Sequence, residues 1–145
     1  MTGSALLLDV NTLLALGWVE HEAHASVVQR LTHGVPPRWT TCPITQLGFI
    51  RISSTNGIFS RNLSPRQAHA ALAALCRDEQ HDFVGEHLSA LDCDFSELDG
   101  PRQTTDAYLV ALARHHGLRL LTLDKRLVNA FPRAPVELLV AKTDP

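Results

Sequence analysis

The sequence has few cysteines and no long apolar run, and each absence excludes a class of protein. The 145-residue chain has 3 cysteines, an odd number without CxxC spacing. We therefore expect free thiols in the cytoplasm and no disulfide framework. No apolar run approaches the roughly 20 residues that cross a bilayer, so no membrane segment is predicted.

Several other signals are missing. Residues 1–4 carry no basic side chain, and the apolar run after them is broken at Asp9, too early for a signal peptide. No GxxxxGK[ST] phosphate loop occurs, which favours hydrolysis over nucleotide-driven transfer. His21 and His24 do not form the HExxH metal-binding pattern, and we expect both to face solvent.

What is present indicates one α/β domain over residues 1–145. A hydrophobic fraction of 45% excludes a disordered chain. The order of predicted elements is β-α-α-β-α-α-β-α-β-α-β, which is typical of a mainly parallel sheet covered by helices. The predicted strands are residues 5–8, 38–42, 81–85, 119–123 and 136–140.

Polar residues mark where several helices begin. Ser64, Pro65 and Gln67 form a capping box with proline at the first helical position. Asn11 or Thr12 is expected to cap the first helix, and a threonine hydroxyl the helix that begins near residue 104. The helix after the second strand places three apolar residues on one side: Ile44, Leu47 and Ile50.

Three acids are expected to meet at one edge of the sheet. Asp9 and Asp124 each follow a predicted strand, and Asp106 lies in the first turn of a helix. The carboxyl ends of parallel strands and the starts of the following helices share an edge, where ligands bind. Three adjacent carboxylates remain ionised only if a cation neutralises them, and oxygen ligands select Mg²⁺ or Mn²⁺. Such a site suits phosphoryl chemistry with water as the nucleophile.

Four segments carry a family resemblance: residues 8–14, 40–51, 105–113 and 121–124. In order and spacing they resemble the successive motifs of PIN domains, specifically VapC-type ribonuclease toxins. The resemblance implies a three-layer α/β/α fold and a Mg²⁺- or Mn²⁺-dependent endoribonuclease, commonly dimeric and inhibited by a VapB-type antitoxin. It assigns catalysis and metal binding to Asp9, Asp106 and Asp124, with Asn11 and Thr105 as supporting residues that orient carboxylates.

Gln46 departs from the family pattern. The family commonly has glutamate here, whereas the Gln46 amide supplies no negative charge and no base. A weaker second metal site or a one-metal mechanism follows as a hypothesis, with Gln46 as a supporting residue. A loop acid such as Asp92 or Glu97 is the alternative source of charge, although the acidic segment of residues 92–99 is more typical of a solvated loop.

Candidate RNA contacts are the arginines near the acidic edge: Arg51, Arg102 and Arg126. Trp18, Trp39 and Tyr108 are expected to pack in the core and not to stack on bases. Two other functions stay open. One is a module that binds RNA or an antitoxin with little cleavage, as Gln46 would allow. The other is a receiver-like domain in which a strand-end aspartate accepts a phosphoryl group.

Overall fold

Five short strands form the central sheet of the computed structural model, which describes residues 5–59, 62–98 and 100–141. The strands are β1 (Leu6–Leu8), β2 (Trp39–Thr41), β3 (His81–Phe83), β4 (Arg119–Thr122) and β5 (Val136–Leu138). Their order is β3-β2-β1-β4-β5, and the four pairings between them are parallel. Residues 1–4 and Asp99, which carried expectations above, lie outside the described residues.

The central strand β1 is fully buried, and its leucines alternate between two cores. Leu6 and Leu8 pack with Trp18 and Phe49 on one face of the sheet. Leu7 packs with Tyr108 and helix residues beyond it on the other face. Because successive side chains of a strand point to opposite faces, one run of leucines holds both helical layers.

Helices cover both faces and complete the three-layer α/β/α fold predicted from the sequence. Helices α1 (Val10–Gly17), α2 (His24–Thr32), α3 (Pro43–Ser53) and α4 (Pro65–Leu75) contribute to the first core. Helices α5 (Thr104–His115) and α6 (Lys125–Ala130) contribute to the second. In the part of the chain that the structure describes, none of these helices has the length and hydropathy to cross a membrane.

The structure confirms one predicted helix cap and corrects two others. The capping box of Ser64 and Gln67 is present at the start of α4. Helix α1 is capped by Asp9, and neither Asn11 nor Thr12 takes that place. Helix α5 has no side-chain cap, because a short 3-10 turn over Pro101–Gln103 leads straight into it. In both cases the residues just before the helix decide the cap: Asp9 precedes α1, and the 3-10 turn precedes α5.

Helix α3 buries a different side from the one its large apolar residues suggest. Its buried positions are Thr45, Gly48, Phe49 and Ser53, whereas Leu47 is 66% exposed. Gly48 allows close approach of α1, since a Cβ there would lie 2.7 Å from Val10 Cγ2. Phe49 stacks on Trp18 with ring centroids 5.7 Å apart. Trp18, Trp39 and Tyr108 are all buried, which confirms that they pack in the core.

Replacing Gly17 by alanine should destabilise the protein. A Cβ at Gly17 would meet Phe49 Cε2 at 2.7 Å and Leu75 Cδ1 at 3.0 Å. Overpacking of this kind costs about 1–3 kcal/mol, more than the gain in helix propensity of up to about 1 kcal/mol. Urea unfolding measures the change. Gly100→Ala, where nothing lies within 4 Å of the new Cβ, is the control; equal stabilities of the two variants would contradict the packing argument.

Candidate active site

Asp9, Asp106 and Asp124 line one cavity of about 940 Å³ at the carboxyl edge of the sheet. Asp9 directly follows β1, and Asp124 follows the neighbouring strand β4. Asp106 lies in the first turn of α5. The structure therefore brings together three acids that are far apart in the sequence.

Asp9 is held by hydrogen bonds to both of its carboxylate oxygens. Oδ1 accepts from the backbone N–H of Thr12 at 2.8 Å, and Oδ2 accepts from the Thr122 hydroxyl at 2.6 Å. The residue is only 3% exposed. Burial raises the pKa of Asp9, while the hydrogen bonds from Thr12 and Thr122 oppose that rise. The carboxylate thus has fixed partners in a place that disfavours its charge.

Thr122 connects two of the acids through one hydroxyl group. Its Oγ1 donates to Asp9 Oδ2 and accepts the backbone N–H of Asp124 at 3.0 Å. The side chain is fully buried. Sequence reasoning missed this residue, although a hydroxyl in a leucine-rich strand, two positions before an acid, was an available signal.

Asp106 experiences the charge of the other two acids. Burial, followed by the negative charges of Asp9 and Asp124, raises the pKa of Asp106 to about 6. Asp124 is also the N-cap of α6, where its Oδ1 accepts the backbone N–H of Arg126 at 2.9 Å. Mutual repulsion of like charges is therefore a physical property of this cavity.

The chemistry of these side chains fits a hard divalent cation. The three acids offer only carboxylate oxygens, which Mg²⁺ and Mn²⁺ prefer, and a cation would relieve the repulsion that adds to burial in raising the pKa of Asp106. Within the described residues, however, no group of three or more His, Cys, Asp or Glu side chains is arranged to hold an ion. Asp9 instead directs both oxygens to Thr12 and Thr122.

The expected supporting residues differ in the cavity that they line and in their hydrogen-bond partners. Asn11 lines the cavity, but its Oδ1 is paired with the His21 ring at 2.9 Å and not with a carboxylate. Thr105 is exposed and lines a separate groove beside α3. Gln46 donates from Nε2 to the Thr41 hydroxyl at 3.0 Å, on the strand next to β1.

The three arginines and the two loop acids also lie at different places on the protein. Arg126 lines the cavity of the three acids. Arg102 and Glu97 line a second cavity, of about 950 Å³, which shares Asp106, Asp124 and Arg126 with the first. Arg51 lines the groove that contains Thr105. Of the two loop acids considered, Glu97 is thus the one that shares a cavity with the acidic edge, whereas Asp92 lies exposed in the 3-10 turn Ala90–Asp92.

The expectation that His21 and His24 face solvent is wrong. Both side chains are partly buried, and both are hydrogen-bonded to α1. The segment between α1 and α2 folds back along α1, which brings the rings against Asn11 and the carbonyl oxygen of Ala15. His21 also lines the cavity of the three acids.

Comparison with known proteins gives a consistent match. Residues 6–132 match the family described as PIN domain. Ribonuclease VapC38 from Mycobacterium tuberculosis is 39% identical over 136 residues, covering 92% of this chain and 96% of that protein. Ribonuclease VapC44 from the same species is 38% identical over 132 residues, covering 88% of this chain and 92% of that protein.

Two solved structures share the fold at lower sequence identity. A toxin–antitoxin complex from Klebsiella pneumoniae has a TM-score of 0.60 and 17% identity, covering 91% of this chain and 95% of the matched chain. Mycobacterium tuberculosis VapC20, described as a sarcin–ricin loop cleaving toxin, has a TM-score of 0.59 and 17% identity, covering 86% and 94%.

Replacing Thr122 by valine should lower the free energy of unfolding by about 2–3 kcal/mol, because it removes a donor from a buried carboxylate and leaves polar groups unpaired. Thr122→Ser keeps the hydroxyl and is the matched control. Urea unfolding of both variants measures the difference. A valine variant as stable as the unmodified chain would show that the hydroxyl does not contribute, since valine keeps the γ-methyl group that serine loses.

Replacing Asp106 by asparagine should stabilise the metal-free protein at neutral pH. An aspartate pKa raised to about 6 in the folded state lowers stability as pH rises through that value. The amide removes this penalty, worth up to about 3 kcal/mol at pH above roughly 7 and nothing below the unfolded pKa of about 4. Thermal unfolding in EDTA from acidic to neutral pH tests this, with the exposed Asp92→Asn as control. A stability gain independent of pH would contradict the mechanism.

Proposed function

Because this chain belongs to the PIN-domain family and matches VapC ribonucleases over most of its length, we propose that it is an endoribonuclease that acts as a toxin. The observation that carries the proposal is the cavity shared by Asp9, Asp106 and Asp124. A catalytic centre of three carboxylates is consistent with hydrolysis of RNA phosphodiester bonds.

In the proposed mechanism, Asp9 and Asp106 would hold a Mg²⁺ or Mn²⁺ ion, and Asp124 would help to position that ion or the attacking water. When bound, such an ion polarises a phosphate and lowers the pKa of water. Hydrolysis of the bond to the 3′ oxygen leaves a 3′-hydroxyl on one fragment and a 5′-phosphate on the other. Thr122 restrains Asp9 and the backbone at Asp124 in one geometry through its hydroxyl.

The cavities support a path for the RNA backbone past the acids. Arg126 lies at the boundary of both cavities, and Arg102 lines the second. We assign both arginines to phosphates flanking the scissile bond, and Arg51 to a more distant contact in the groove beside α3. Thr105 borders that groove, and Gln46 is assigned a supporting role through Thr41.

We also propose an antitoxin of the VapB type as a protein partner, a homodimer as the assembly and the cytoplasm as the location. The acidic cavity is complementary to a basic side chain, so the antitoxin would inhibit by placing an arginine or lysine against the acids. This arrangement would neutralise the same repulsion that a cation relieves.

RNA cleavage should require a divalent ion and all three acids. Asp9→Asn, Asp106→Asn and Asp124→Asn should each reduce cleavage by about 100-fold or more, since even residues that only support metal ligands cost 10–100-fold. Asp92→Asn should cleave like the unmodified chain. The measurement is gel analysis of total RNA with Mg²⁺, Mn²⁺ or EDTA.

Two outcomes would contradict this proposal. Cleavage that persists in EDTA would exclude the metal mechanism. Tight RNA binding without product under every metal condition would favour the alternative, a module that binds RNA or an antitoxin with little cleavage, for which glutamine at position 46 is the supporting observation.

A further inference from the structure

His21 has a defined tautomer because of its contact with the backbone. Its Nδ1 accepts the N–H of Ala23 at 3.0 Å, and an imidazole nitrogen that accepts a hydrogen bond carries no proton. Burial lowers the pKa of His21, against the opposing charge of Glu22, which is consistent with a neutral ring. The proton of neutral His21 therefore lies on Nε2.

This tautomer determines the orientation of the Asn11 amide. His21 Nε2 lies 2.9 Å from Asn11 Oδ1, and a protonated Nε2 can only donate. The amide nitrogen of asparagine is a donor, so the atom that faces His21 must be the carbonyl oxygen. The NH₂ group of Asn11 is then left for another acceptor.

The two residues lie beside the acids and belong to the same cavity. Asn11 is in the first turn of α1, two positions after Asp9, and both Asn11 and His21 line the cavity of the three acids. A second histidine bond, from His24 Nδ1 to the Ala15 carbonyl oxygen at 2.7 Å, attaches the same segment to α1. Asn11 thus lines the same cavity as the three carboxylates, beside a segment that two histidine bonds attach to α1.

We propose that His21 is a positioning residue that orients the Asn11 NH₂ group to donate a hydrogen bond to a phosphate oxygen of bound RNA. This inference depends on the proposed function. It differs from the role implied by the family resemblance, in which Asn11 would orient a carboxylate. A neutral donor contributes to binding of the anionic backbone without competing with a cation for the acids.

The test compares RNA affinity in a double-mutant cycle. His21→Asn keeps an acceptor for the Ala23 N–H and removes the Nε2 donor, Asn11→Ala removes the amide, and the third variant combines both. The probe is a short fluorescein-labelled single-stranded RNA in EDTA at low salt, followed by anisotropy. His69→Ala is the control, since it removes an exposed histidine on α4, outside the segment that carries His21.

Each single variant should weaken RNA binding by about tenfold, as expected for a hydrogen bond to a charged group. The double variant should bind no more weakly than either single variant, because both changes remove one arrangement. His69→Ala should retain the affinity of the unmodified chain. A long-range ¹H–¹⁵N spectrum of the unmodified chain should show the Nε2–H tautomer of His21.

Three results would overturn the inference: an Nδ1–H tautomer, unchanged affinity in His21→Asn, or additive losses in the double variant. If the unmodified chain binds and cleaves RNA while any of these holds, only the role of His21 is rejected. Failure of the unmodified chain to bind the RNA probe would instead contradict the proposed function, and the inference with it.

Discussion

The burial of the Asp9 carboxylate is the constraint on which the rest of the site depends. Asp9 follows the central strand and caps the first helix. It also accepts a hydrogen bond from the Thr122 hydroxyl of the neighbouring strand. A buried carboxylate without such partners would cost several kcal/mol, on the order of 2–7 for a polar group left unpaired. The hydrogen bonds that make Asp9 tolerable also hold β1, α1 and β4 in one geometry.

The same geometry concentrates negative charge where the sheet ends. Asp106 is brought to Asp9 and Asp124 by α5, and burial, followed by repulsion from these two acids, raises its pKa to about 6. In the proposed mechanism, this arrangement would also favour a bound cation, because neutralising the charge restores the lost free energy.

Polar residues near the acids differ in which of their atoms is used in a hydrogen bond within the protein. Thr122 uses its hydroxyl to connect Asp9 with the backbone of Asp124. Asn11 directs its oxygen to His21, so its nitrogen remains a donor. Gln46 directs its nitrogen to Thr41, so its oxygen remains an acceptor. The functional consequence of each amide depends on which of its atoms is already hydrogen-bonded.

Local patterns in the sequence determined the strands, the order of strands and helices along the chain, and the three acids that lie at the carboxyl edge of the sheet. These features depend on short apolar runs, caps and helix periodicity, which neighbouring residues encode. Only the tertiary structure decided that Asp9 caps α1, that α3 buries Phe49 and exposes Leu47, and that Thr122 contacts Asp9 across 113 positions of sequence. Those outcomes depend on packing between distant segments, and no local pattern specifies the partner of a buried hydroxyl or the rotation of a helix about its axis.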